Sequence, residues 1–139
     1  MEKWNEEVVE LLVDLNSLKM AERRGSESIT NVLFSWVEDY FSQNNFEGSL
    51  VLNYTKTSKK HIRITVLQKK LLISVDGFAD VIKISTLENN QEVNTVEEFF
   101  IGTFISEKNN LLGRKVMFNI LDDFTKLAVE SYINEKIYL

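Results

Sequence analysis

SLVLNYTKTSKKHIRITVLQKKLLISVDG, residues 49–77, decides how this chain folds. Leu50, Leu52 and Tyr54 alternate with Val51, Asn53 and Thr55. Ile62, Ile64 and Val66 alternate with His61, Arg63, Thr65 and Leu67. Leu71, Ile73 and Val75 alternate with Leu72 and Ser74. A period of two marks strands with one buried face. The interruptions Thr57-Ser58-Lys59-Lys60 and Gln68-Lys69-Lys70 are short enough for hairpins, so the three runs read as an antiparallel meander. Asp76-Gly77 closes it with a turn signal. A fourth strand is expected over about 80–86, followed by a turn at Asn89-Asn90.

Ahead of the meander the period changes to that of helices. Residues 2–20 read as a helix: Met1, Trp4, Val8, Leu11, Leu15 and Leu18 form a seam stepping by three and four, which Val9, Leu12 and Val13 broaden. Glu2, Glu6, Glu7 and Glu10 lie at its start and Lys19, Arg23 and Arg24 near its end, which complements a helix dipole. Residues 23–28 break the pattern. A second helix over about 29–43 carries Ile29, Val32, Leu33, Trp36, Val37, Tyr40 and Phe41 on one face.

Behind the meander, Thr95-Val96-Glu97-Glu98 fits a capping box. It would open a helix burying Phe99, Phe100 and Phe104, weakened at Gly102. Residues 114–136 place Met117, Ile120, Leu121, Phe124, Leu127 and Ala128 on one helical face. A fifth strand over 114–120 is the other reading. The expectation is one α+β domain over 1–139: N-terminal helices within 2–43, an antiparallel meander of three to five strands beginning with 50–86, and C-terminal helices within 95–136.

At 139 residues, 44% of them apolar, the chain has material for one core without metals or disulfides. It contains no cysteine, which removes disulfides, thiol nucleophiles and cysteine-based zinc sites. The start, MEKWNEEVVELLVDL, lacks the basic segment and continuous apolar run of a signal peptide. No apolar run approaches the roughly 20 residues that span a bilayer. The expected location is the cytoplasm, with no membrane partner.

The groups that carry catalysis are few. His61 is the single histidine, set among Lys59, Lys60 and Arg63. The pairs Glu6-Glu7, Glu38-Asp39, Glu97-Glu98 and Asp122-Asp123 are sequence neighbours, which diverge by about 100° on a helix and form no ready chelate. Gly113-Arg114-Lys115 has only the tail of a phosphate-binding loop, without its first glycine or following hydroxyl residue. The sequence therefore points away from an enzyme and names no cofactor or metal.

Charge is the strongest functional signal. The net −5 conceals an acid-free block, 48–75, holding Lys56, Lys59, Lys60, Arg63, Lys69 and Lys70 between two acidic segments. These six residues are the candidate contacts for an acidic partner. Trp4, Leu11 and Leu15 of the first seam form a second candidate surface, for a partner helix or for a second copy in a homodimer. The expected function is a non-enzymatic protein-binding module. In size, acidity and element order the chain resembles small secretion chaperones and cytoplasmic immunity proteins against toxins, a likeness that no single motif carries, and an inhibitor is a further form such a module could take. The alternative is nucleic-acid binding through the hairpins 56–70. The order of helix, meander and helix is similar to double-stranded-RNA-binding domains, but Thr95-Val96-Glu97-Glu98 is acidic where their lysine cluster stands.

Overall fold

The computed structural model describes residues 3–138, with side chains over 6–137. Two helices, α1 (Lys3–Glu22) and α2 (Ser26–Gln43), precede five strands. These are β1 (Leu52–Ser58), β2 (His61–Val66), β3 (Lys69–Asp76), β4 (Val81–Glu88) and β5 (Gln91–Phe100). A long helix, α3 (Arg114–Tyr138), ends the chain. The sheet is an antiparallel meander in the order β1-β2-β3-β4-β5. The fold is α+β, with helices before and after the sheet.

The alternation of residues 49–77 becomes two faces. Ile62 pairs with Ile73, and Ile73 with Ile84, so isoleucines of β2, β3 and β4 form one row. Ile64, Val66, Leu71, Val75 and Ile82 extend that face, and all are buried. α2 covers it with Ile29, Leu33, Trp36, Val37, Tyr40 and Phe41, the stripe expected from its period. α3 adds Met117, Ile120, Leu121, Phe124 and Ala128. Residues 114–120 are thus helical, not a fifth strand.

The fifth strand comes from residues read as helix. Thr95-Val96-Glu97-Glu98 does not cap a helix, because the whole segment lies in β5. Phe99 pairs with Ile82 and enters the core, while Phe100 pairs with Val81 and faces outward. The capping box is a local signal worth about 1 kcal/mol. Pairing along β4 supplies a ladder of backbone hydrogen bonds, and Val93, Thr95, Val96 and the two phenylalanines suit a pleated surface. The long-range term wins. The C-terminal helical region therefore shrinks from 95–136 to α3 alone. Between β5 and α3, Gly102 adopts φ +107° and Phe104 folds back into the core, its N–H donating to the Phe100 carbonyl at 2.6 Å.

α1 forms an outer layer on α2. Leu18 and Ala21 are buried, and Leu15 packs against the core. The helix is tied at two further points. Asp14 accepts from the Arg114 backbone N–H at 2.8 Å and from Nε at 3.0 Å, and Lys19 donates to the Gly102 carbonyl.

An aromatic cluster joins α2, α3 and β1. Tyr40 is buried there and donates its hydroxyl to Asp122 Oδ1 at 2.6 Å. Burial first, and the Asp122 carboxylate second, push the Tyr40 hydroxyl far above its ordinary value near 10. The unfolded tyrosine ionises near pH 10 and the folded one resists. Its contribution is intact below pH 10 and shrinks as pH rises beyond it. Burial of Tyr54 and the bond from Lys83 to Glu92 raise those groups too, adding to the alkaline loss. Tyr40→Phe is expected to cost about 1 kcal/mol at neutral pH and to flatten the fall above pH 10. Urea unfolding of both proteins across that range checks this; identical slopes would place the proton elsewhere.

Candidate functional site

The helices lie on one side of the sheet, and among the described residues none covers the other face. Register puts three outward rows across it. The first is Thr55, Arg63, Leu72 and Ser85. The second is His61, Ser74, Lys83 and Glu98. The third is Asn53, Thr65, Lys70, Leu87 and Glu92. Leu72 and Leu87 are half-buried, and Phe100 is exposed at the β5 end. Basic side chains thus occupy the middle strands and acids the β5 edge. Lys83 and Glu92 join across strands at 2.8 Å, an exposed pair of small energetic weight.

Arg63 lies at the centre of this face. Its Nε is shielded from water and has no hydrogen-bond partner among the described residues, and the same holds for the hydroxyls of Ser74 and Ser85. The three belong to adjacent strands and adjacent rows. Burying such a group unpaired costs about 1–3 kcal/mol. His61 sits beside them with Nδ1 at 2.5 Å from Ser58 Oγ, which holds the ring at the strand end.

The six basic residues do not form one patch. Lys59 and Lys60 occupy the β1–β2 turn, where Lys60 lies over the exposed Phe78 ring at 5.5 Å. Lys69 and Lys70 begin β3 at the opposite end, roughly 20 Å away along six residues of strand. Lys70 donates to Asn90 at 3.2 Å. Lys56 pairs with the inward-facing Ile62, and its ammonium donates to Asn31 of α2 at 2.6 Å. It therefore belongs to the helix side. Of the six, Arg63 and Lys70 share the open face.

The first-helix residues separate as well. Leu15 packs on the core, Leu11 is half-buried beside Gly113 and Leu18 is buried, so this part of the seam faces inward, while Val8 is 45% exposed. The side chain of Trp4 lies outside the described residues. The free apolar surface of α1 is instead Val9, Leu12, Val13 and Met20, each about half exposed at 50–58%. Periodicity held that signal at Val9, Leu12 and Val13. It did not say which side of a helix with two apolar faces would be buried.

A cleft of about 320 Å³ between β5, the 106–110 loop and α3 was not foreseen. Leu71, Val96, Ile120, Phe124 and Leu127 wall it. Glu97 is buried at its side and accepts from Asn110 Nδ2 at 3.0 Å. Its lining comes from five segments, β3, β4, β5, the loop and α3, so no local pattern marks it.

Among the described residues, no three or more histidine, aspartate or glutamate side chains converge to hold a metal ion. Nor is any described helix long and apolar enough to cross a membrane. No protein-family model matches this chain, and no curated protein or solved structure was found to be similar to it.

Proposed function

We propose that this chain is a non-enzymatic protein-binding module, of the immunity-protein, inhibitor or secretion-chaperone kind, which docks an acidic partner on the open face of its sheet. The observation that carries the reading is Arg63. It stands at the centre of an uncovered sheet face with its Nε withdrawn from water and unpaired. A carboxylate arriving there meets the part of the Arg63 guanidinium that stays exposed, while the Ser74 and Ser85 hydroxyls lie shielded from water beside it. Leu72 and Leu87 supply apolar area around it. Charged groups of this kind chiefly set the rate and register of docking, while a few desolvated anchors set its strength. Lys59, Lys60 and Lys69 at the two ends would steer the approach.

The double variant Arg63→Glu/Lys70→Glu tests the surface. A pull-down from the host with nuclease present first yields the partner, whose association with purified wild type and variant is then timed. The on-rate is expected to fall at least about tenfold, most strongly at low salt. An unchanged on-rate removes the open face as the docking site. Recovery of nucleic acid alone, and only when nuclease is omitted, would shift the function to nucleic-acid binding, with an affinity that falls steeply with salt.

A further inference from the structure

The outer face of α1 is self-complementary. Val9, Leu12, Val13 and Met20 form a stripe along the helix, each about half exposed, with the exposed Asn16 among them. Glu6 precedes the stripe and Glu10 adjoins its first residue, Val9; Arg23 and Arg24 follow it. All four are exposed, and none is in an ion pair among the described residues. The acidic end, apolar middle and basic end therefore occupy one outward surface.

The geometry points to a second copy of this chain as the occupant, docked with the two α1 helices antiparallel about a two-fold axis through their middles. A parallel arrangement would set acids against acids. The antiparallel one places Val9 opposite Met20 of the second copy, Val13 opposite Asn16 and Glu6 opposite Arg23. Every contact then occurs twice, as a two-fold interface requires. A partner carrying one sign of charge would match only one end of the stripe. A second copy matches both ends. The surface is also held in place, because Asp14 is bonded to Arg114 and Lys19 to the Gly102 carbonyl on the inner side of the same helix.

α1 has 20 residues, so the seam is about 30 Å long. A single helix pair of that length is smaller than a standard stable interface. The association is accordingly weak, in the micromolar range or above, and sensitive to salt. It lies on the helical side, so both open sheet faces of the dimer remain available. This inference stands independently of the partner-binding reading.

Analytical ultracentrifugation of the full chain from micromolar to millimolar concentration tests it, at low and high salt. A concentration-dependent monomer–dimer equilibrium is expected, shifted toward monomer by salt. Leu12→Asp abolishes it. Glu6→Arg and Arg23→Glu each weaken it by about tenfold. The double variant recovers wild-type association, because the exchanged charges meet again across the two-fold axis. These positions are exposed, so thermal melting should be nearly unchanged in all of them. A chain that stays monomeric throughout overturns the inference. So does a dimer that survives Leu12→Asp, or a double variant no better than the single ones. Arg63→Glu/Lys70→Glu leaves the dimer intact, which keeps this outcome separate from that of the sheet face.

Discussion

Phe41→Ala is expected to lower the stability of this protein by about 3–5 kcal/mol, the usual cost of emptying a buried aromatic site. Phe41 is 1% exposed. Its ring meets Tyr54 edge-on at 4.5 Å, and Tyr40 and Phe46 each at 6.1 Å. Those neighbours come from α2, β1 and the segment between them. Removing the ring therefore leaves a hole where a helix joins a sheet edge, and rigid elements on two sides limit collapse. Domains of this kind have about 5–15 kcal/mol in total, so the variant would keep only part of its margin. Phe41→Leu fills most of the space and should cost less than about half as much. Urea unfolding with an unchanged denaturant slope measures both. A loss below about 1 kcal/mol for Phe41→Ala would show that the cluster relaxes into the gap.

Asp14→Ala is expected to cost about 3 kcal/mol, because it strips a cap and half of a partly buried ion pair together. Asp14 is 5% exposed. The Gly113 carbonyl accepts the first bond of α3, from the Met117 N–H at 3.0 Å. Gly113 thus holds the capping position without a side chain to fill it. Asp14 supplies the missing acceptor from α1, taking the Arg114 N–H at 2.8 Å. A negative charge at that end also suits the helix dipole. Packing at this position is close: a Cβ on residue 113 would stand 2.9 Å from Leu11 Cδ1, the movable end of a flexible side chain, and 3.4 Å from Asp14 Oδ2. Asp14→Asn keeps an acceptor for the backbone N–H while losing the charge, and should cost roughly half as much. Equal losses for the two variants would assign the effect to the ion pair. A loss under about 1 kcal/mol for Asp14→Ala would mean that water replaces the cap.

Much of this fold was legible because its signals are periodic and local. Alternation over 49–77 named β1, β2, β3 and the face each would bury. The stripes of 29–43 and 114–136 named α2 and α3. The segment 95–100 misled because two local signals compete there. A capping box asks for a helix, and β-branched and aromatic residues accept a strand. Only β4, as a neighbour, decides between them. The candidate surfaces were less legible. The acid-free block groups basic residues along the chain but could not say where the fold would distribute them. Lys56 turns toward α2, the turn lysines move to opposite ends, and Arg63 alone occupies the centre.

α1 shows the same division most sharply. Its sequence has apolar residues on two sides, and periodicity fixes a helix without choosing which side is buried. Long-range packing makes that choice: Leu18 and Ala21 enter the core, and Asp14 reaches Arg114, 100 residues away in the chain. That arrangement turns Leu11, Leu15 and Leu18 inward and leaves Val9, Leu12, Val13 and Met20 outside. The sequence by itself determined the first four strands of the meander, three helices and the separation of charge, since each follows from neighbours within a few positions. The tertiary structure alone decided the fifth strand, the open sheet face around Arg63 and the outward side of α1. Those depend on pairing and packing between residues far apart in the chain, where the free energy of burial outweighs any local preference.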